Sequence, residues 1–378
     1  MIKILIAGDF CPLDRVSKLI DTCEYQSILK DIIQYTAQAD YSIVNLEAPV
    51  VHTEEHAIDK CGPNLKCSDN AVKALKYAGF DMTTLANNHF YDYGDIGVKQ
   101  TLEACINNGI DVVGGGINLS NASKTFYKDI RGVKVAFINC CEHEFSIASD
   151  SSAGANPLNL IQQYYSIQEA KQLADITIVI VHGGPEHYQL PTPRMKESYR
   201  FFIDAGADAV INHHQHCFSG YEIHKNKPIF YGLGNLCFDW PYKRNLPWNR
   251  GYMVMLEIES EKVNFKLIPY IQCNDKPCVD IIKDVNDIHI FYEHINYFNS
   301  IIQSDNKLQE EYNAYLEKSK SQYLALFEPY SNRYLKALYR RRLLPTFISK
   351  NKRLMLFNYM NCYSHLEKLL YALKYHRK

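Results

Sequence analysis

The chain has 378 residues, 47% of them hydrophobic, and a formal net charge of -1. That suits one large domain or two smaller ones with an ample apolar core. No apolar run reaches membrane-spanning length. Met1-Ile2-Lys3 runs through a short apolar stretch into Gly8-Asp9 without a secretory-signal pattern, so a cytoplasmic location is the expectation.

In chain order, Ile2–Ala7 reads as a buried strand, 27–37 as a helix and Tyr41–Val44 as the next strand. Residues 70–77 form a short helix leading to a strand at 82–85. Residues 95–108 read as a helix closed by Gly109. A strand at 133–138, a helix at 167–174 and a β-branched strand at Ile176–Val181 follow. A helix over 195–205, stopped by Gly206, leads to a strand at 209–211. Strands at 228–233, 253–258 and 263–268 come next, the last two flanking a hairpin turn at 259–262, so the sheet is expected to be mixed. This alternation predicts α/β layers. After Pro277 apolar residues recur at helical spacing. Residues 1–279 are therefore expected to form one domain and 280–378 a helical extension, punctuated by Pro329 and Pro345.

The twelve cysteines are scattered, with no two-residue spacing of a zinc knuckle or thioredoxin-like motif. Cys140 and Cys141 read as small core residues. Cys61 and Cys67 share a loop short enough to bridge, against which a reducing compartment argues. From Ser331 onward there are twelve Lys and Arg against one acid, Glu367, in a tyrosine-rich segment. Such a face either docks on an acidic body or holds an anionic polymer, membrane surface or partner. No nucleic-acid motif accompanies it. Leu354, Phe357 and Met360, then Leu366, Leu369 and Leu370, form stripes expected to pack inward, leaving Arg340, Arg341 and Arg342 exposed.

Polar clusters follow the apolar runs one after another. Gly8-Asp9 closes the first. Asn45-Leu46-Glu47 follows the second, and extended backbone puts Asn45 and Glu47 on one face; either a ligand pair or a strand-end hydrogen-bond network would look like this. Asn87, Asn88 and His89 follow the strand at 82–85, with Asp92 and Gly94 just beyond. Amide oxygens can ligate hard or borderline cations, and an imidazole beside a metal can protonate a leaving oxygen. The alternative is an Asx-rich turn capping the next helix. His182-Gly183-Gly184 ends the fourth run; the glycines permit close approach of a ligand, and His187 lies near enough to touch one. In INHHQH, His214 and His216 share a face if extended, and His213 points away. Tyr231-Gly232-Leu233-Gly234-Asn235 lacks P-loop or dinucleotide spacing and reads as another strand end. Carboxylates, amides and imidazoles gathered at one rim describe a metal site better than a core.

These residues carry a resemblance. GD at 8–9, NLE at 45–47, GFD, LANNH and DYG between 79 and 94, HGG at 182–184, HQH at 214–216 and YGLGN at 231–235 stand in the order of the CapA, or poly-gamma-glutamate synthesis, family. That family is a branch of the calcineurin-like metallophosphoesterases. The segment around Asn361, Cys362 and His365 resembles the tail of its soluble members more weakly. The resemblance implies a β-sandwich flanked by helices, with one or two divalent ions (manganese, iron or zinc) at the strand ends. It makes Asp9 a ligand of one metal, Glu47 the bridging carboxylate and Asn88 with His182 ligands of the second. His214 and His216 complete the two spheres, and His89, beside Asp92, is the general acid. Asn45, Asn87, Gly183, His187 and Asn235 are left to contact substrate. Three departures stand out: Asp9-Phe10-Cys11 replaces the superfamily's Asp-x-His, Glu47 replaces its usual bridging Asp, and HQH replaces the family's common HPH. One metal is therefore expected to be weakly held.

The expected function is metal-dependent hydrolysis of a phosphoester or related bond in capsule or surface-polymer synthesis, acting on an anionic polymer or a phosphorylated small molecule. Two alternatives stay open. One is amide hydrolysis, ligation or transfer on a poly-gamma-glutamate-like polymer. The other is a non-catalytic capsule-assembly protein with a degenerate metal site and a basic tail that holds its partner.

Overall fold

The computed structural model describes residues 1–361 apart from 54, 61, 261, 325–328 and 331. The first half contains β1 (Ile2–Cys11), α1 (Asp14–Asp21), α2 (Tyr25–Thr36), β2 (Tyr41–Leu46), α3 (Asp69–Tyr77), β3 (Met82–Thr84), α4 (Gly94–Asn107) and β4 (Asp111–Val113). Then come β5 (Gly115–Gly116), α5 (Leu119–Ala122), β6 (Phe126–Ile130), β7 (Val133–Cys141), β8 (Gly154–Ala155), α6 (Leu160–Leu173), β9 (Ile176–His182), α7 (Pro193–Ala205) and β10 (Ala209–His213). Strands β11 (Tyr221–His224), β12 (Lys227–Phe230), β13 (Asn235–Phe238), β14 (Arg250–Glu259), β15 (Lys262–Gln272) and β16 (Val279–Ile281) follow. The chain ends in α8 (Val285–Ile302), α9 (Asp305–Leu324), α10 (Arg333–Arg340) and α11 (Lys350–Asn361).

The strands build two main sheets, one ordered β16-β15-β14-β1-β2-β3-β4 with β13 also paired to β1, the other β11-β12-β10-β9-β7-β6. β1, β2, β3 and β4 run parallel, as do β7, β9 and β10. β14 and β15 form the expected antiparallel hairpin, which makes the first sheet mixed. Period-two alternation in β1 sends Ile4 and Ile6 into one apolar cluster with Val135, Phe137, Ile178 and Ile180 of the second sheet. Leu5 and Ala7 point the other way, against Ile28, Leu29 and Ile32 of α2 and Leu75 of α3. The result is sheet against sheet with helices outside. Parallel strands place their carboxyl ends at one rim, where ligand sites of open α/β sheets form.

Local chemistry sets the helix ends. Thr192 Oγ1 accepts from Met195 N–H at 3.1 Å with Pro193 in the first turn, and Gly206, at φ 120°, closes α7. Asp284 caps α8 by accepting from the Asn286 and Asp287 amides. α8 is not a free extension: Phe291, Ile295 and Phe298 join the inter-sheet cluster, with Phe291 5.4 Å from Phe218. One compact unit accordingly runs Met1–Leu308 and a second begins at Gln309.

Within the second unit, Arg340, Arg341 and Arg342 are exposed, as expected, and so is Met360. The Leu354 and Phe357 side chains, and Leu366, Leu369, Leu370, Cys362 and His365, lie outside the described residues. Cys61 does too, and Cys67 is a buried free thiol. No helix among the described residues is long and apolar enough to cross a membrane.

Candidate metal centre

Side chains at or just beyond the carboxyl ends of β1, β2, β3, β9 and β10 converge on one buried point. His182 Nε2 lies 3.0 Å from Asn88 Oδ1, 3.0 Å from His214 Nδ1 and 3.5 Å from Glu47 Oε1. Donor atoms bound to one ion at about 2.0–2.2 Å stand about 2.8–3.6 Å from one another, so this spacing fits the edges of a single coordination sphere. A second group meets it through the same carboxylate. His216 Nε2 is 3.7 Å from Glu47 Oε1, His216 Nδ1 is 3.9 Å from Asp9 Oδ2, and Asp9, Glu47 and His216 offer ligand atoms within 4.8 Å of one another. Glu47 belongs to both groups.

Glu47 supplies the test of whether a metal fits. Its side chain is fully buried, yet neither carboxylate oxygen has a hydrogen-bond partner. A buried polar group left unpaired is costly, and a buried carboxylate most of all. Burial, then the charges of Asp9, Glu186, Glu144 and Asp92, push its pKa well above the usual range. Burial likewise lifts Asp9 to about 7 against the hydrogen bonds from Asn45 and His214. Burial lowers His214 to about 4, and with the neighbouring imidazoles it drops His182 and His216 well below their ordinary value. The imidazoles are thus neutral, the form that ligates, while the carboxylates lack only positive charge. The donor set of carboxylate, amide oxygen and imidazole fits a divalent cation.

Several residues expected to touch substrate are spent beneath the centre instead. Asn45 donates to Asp9 Oδ1 at 2.7 Å, lies 3.3 Å from His182 Nδ1, and accepts from Thr84 and Asn87. Asn87 donates to the Leu46 carbonyl and accepts from His89 N–H. For these two amides the hydrogen-bond network is the better description. Asn235 Oδ1 accepts from His216 Nδ1 at 2.9 Å, which leaves Nε2 free to face Glu47. The Gly183 carbonyl accepts from Asn212, and a Cβ at this position would meet the Glu142 side chain at 2.7 Å. His187 does reach the rim, exposed and 6.2 Å from the His216 ring.

His214 and His216 come together by a route other than strand alternation. β10 stops at His213, and both residues then take positive φ, 88° and 56°. The turn, not an extended segment, aims them inward. Cys11 packs in an apolar cluster and belongs to no candidate metal group among the described residues. It does not take the place of the missing histidine.

His89 and Asp92 form a pair beside the centre, with His89 Nδ1 2.7 Å from Asp92 Oδ2. Sequence reasoning missed their third member, Lys60, whose Nζ donates to Asp92 Oδ1 and lies 3.1 Å from His89 Nδ1. It also missed Glu144, 3.7 Å from His214 Nε2, and Glu186, grouped with His214 and His216. Trp248, 4.7 Å from the His216 ring, was missed as well. Lys60, Glu144 and Glu186 lie in loops and Trp248 in a single 3-10 turn, Pro247–Asn249, where no periodic pattern points at them.

Residues 3–240 match the family model described as bacterial capsule synthesis protein PGA_cap, a span that holds every ligand candidate named above. The chain belongs to this family. The PGA_cap chain is 31% identical over 251 residues to capsule biosynthesis protein CapA of Bacillus anthracis, covering 64% of this chain and 61% of that protein. It is 32% identical over 241 residues to PGA biosynthesis protein CapA of Bacillus subtilis, covering 63% of each. It thus spans about three fifths of the length of these curated relatives. Among solved structures, a 5'-nucleotidase of Candida albicans matches with a TM-score of 0.43 and 14% identity, covering 84% of this chain and 57% of that one.

Proposed function

We propose that this PGA_cap protein is a metal-dependent hydrolase acting on a phosphoester or related bond during synthesis of a capsule or surface polymer. The observation that carries the reading is Glu47, a buried carboxylate without a partner, shared by two groups of ligand atoms. Glu47, Asn88, His182 and His214 would hold one divalent ion, and Asp9, Glu47 and His216 a second, more weakly. Such ions supply Lewis acidity, lowering the pKa of a water and offsetting negative charge as the bond breaks.

The chain's own residues do the rest. Asn45 fixes Asp9 and Asn235 fixes His216, so the ligands are oriented before substrate arrives. Asp92 engages His89 Nδ1, which leaves Nε2 to carry the proton for the leaving oxygen. In the hydrolysis a bond forms from the attacking water to phosphorus and the bond to the leaving oxygen breaks. The leaving oxygen takes the His89 proton, and the proton lost by the water restores the ring.

The names of the two CapA relatives, capsule and PGA biosynthesis, favour a second bond type, the amide of a glutamate polymer, where the same centre would polarise a carbonyl. The basic tail around Arg340–Arg342 would hold that anionic polymer or an assembly partner. Turnover of phosphodiesters, phosphomonoesters and γ-glutamyl peptides by manganese-loaded protein separates the readings. His89→Ala should keep its metal and lose about a hundred- to ten-thousand-fold in turnover on a poor leaving group. Wild-type turnover in that variant would remove His89 from the mechanism, and cleavage of γ-glutamyl bonds alone would move the assignment to amides.

A further inference from the structure

We infer that Lys60 is a positioning residue that holds the Asp92–His89 pair in its working orientation. The inference rests on the hydrolase reading for its chemistry but on independent geometry for its placement. The Lys60 side chain is only 3% exposed. A buried ammonium is unfavourable unless it is paired, and removing one member of such a pair costs more than the pair contributes. Its partner is Asp92, which is itself fully buried.

Asp92 is held at each of its oxygens. Oδ1 accepts from Lys60. Oδ2 accepts from the Leu65 amide at 2.7 Å and faces His89 Nδ1 at 2.7 Å. The Asp92 carbonyl accepts from the Ile58 amide at 3.0 Å. An ammonium has no acceptor and a carboxylate no donor. With Oδ1 committed to Lys60, the carboxylate plane is fixed and Oδ2 is left as the atom that engages the imidazole. Lys60 therefore sets the direction of Oδ2, Oδ2 sets the ring of His89, and the ring sets where Nε2 points. Without Lys60 the Leu65 amide alone holds the carboxylate, at Oδ2, so its plane is less firmly fixed and the ring with it. Misplacing a catalytic group by about 1 Å costs on the order of a hundredfold.

Lys60→Met, Lys60→Arg and the wild type are compared on an alkyl phosphodiester and on a p-nitrophenyl phosphodiester, all loaded with manganese. The alkyl leaving group needs its proton and p-nitrophenolate does not. Lys60→Met should lower kcat about ten- to a hundredfold on the alkyl ester and under about threefold on the nitrophenyl ester. KM and metal content should stay unchanged, and Lys60→Arg should recover part of the loss. Equal losses on both esters, or none on either, would overturn the inference.

A readout that needs no turnover runs beside it. Acetylation of the folded protein, followed residue by residue by mass spectrometry, should spare Lys60 in the wild type and reach it in Asp92→Asn. Lys60 acetylated as fast as the exposed lysines of the wild type would overturn the placement outright. If the wild type cleaves neither ester, the hydrolase reading fails, and the labelling still decides whether Lys60 is latched to Asp92.

Discussion

Asn235 shows how much of the candidate centre is built from residues that stand behind the donor atoms. Its Oδ1 accepts a hydrogen bond from His216 Nδ1, while its Nδ2 donates to the carbonyls of His216 and Trp248. Asn235→Ala should leave both groups of ligands in place and weaken divalent-ion affinity about ten- to a hundredfold, measured by competition against a metal chelator; unchanged affinity would show that the ring needs no such support. His213 gives a test by pH. Burial lowers its pKa to about 4. The unfolded ring takes up a proton below about 6.5, the folded ring only below about 4, so stability from its neutral form is complete above 6.5 and is lost as pH falls towards 4. The unfolding free energy of the metal-free wild type should therefore fall relative to His213→Gln across that window, and a pH-independent difference would refute it. At this scale the sequence pointed to the donor atoms that the fold brings together and less so to their supports. Asp9, Glu47, Asn88, His182, His214 and His216 each follow an apolar run and carry a donor atom. Asn45, Asn87 and Asn235 look the same in sequence, and only their hydrogen bonds reveal that they face inward.

β1 is the element on which the centre depends most, because it carries Asp9 past the neighbouring chain at Gly8. A Cβ on Gly8 would stand 1.8 Å from the Gly234 carbonyl oxygen, which cannot move without shifting β13. Gly8→Ala should destabilise the fold by about 1–3 kcal/mol and weaken metal binding as Asp9 is displaced from Glu47. Denaturant unfolding and metal titration of the same preparation test both, and wild-type behaviour in both would contradict this account of the close approach. Most elements were legible because burial imprints a period on them, as in Ile176–Val181 and the α7 segment with its Thr192-Pro193 start. α1 was not read at all: it buries only Val16 and Ile20 within Asp14–Asp21, too short a stripe to stand out. The turn at His214–His216 is not legible in the sequence, because an extended segment and a left-handed turn can bring the same pair of residues together.

For the whole molecule, the first compact unit, Met1–Leu308, contains every residue of the centre, and it includes α8 because Phe291, Ile295 and Phe298 complete the core between the sheets. Helical spacing after residue 280 announced a helix, but spacing alone does not say which surface covers its apolar face. Five carboxylates, Asp9, Glu47, Asp92, Glu144 and Glu186, surround neutral imidazoles with Lys60 as the neighbouring ammonium, so the fold gathers negative charge that a divalent ion would balance. The most direct measurement is the melting temperature of wild type and Glu47→Gln, with and without manganese. Burial and the neighbouring acids push the Glu47 carboxyl well above its usual range, so its charge is a cost when no ion is bound; Gln has its shape without that charge, and the metal-free variant should melt at or above the wild-type temperature. Manganese at a hundred times its dissociation constant should stabilise the wild type by about 2.7 kcal/mol per site. The variant, lacking the carboxylate common to both groups of ligands, should gain little. An equal manganese-induced rise in the two proteins would contradict a centre built on Glu47.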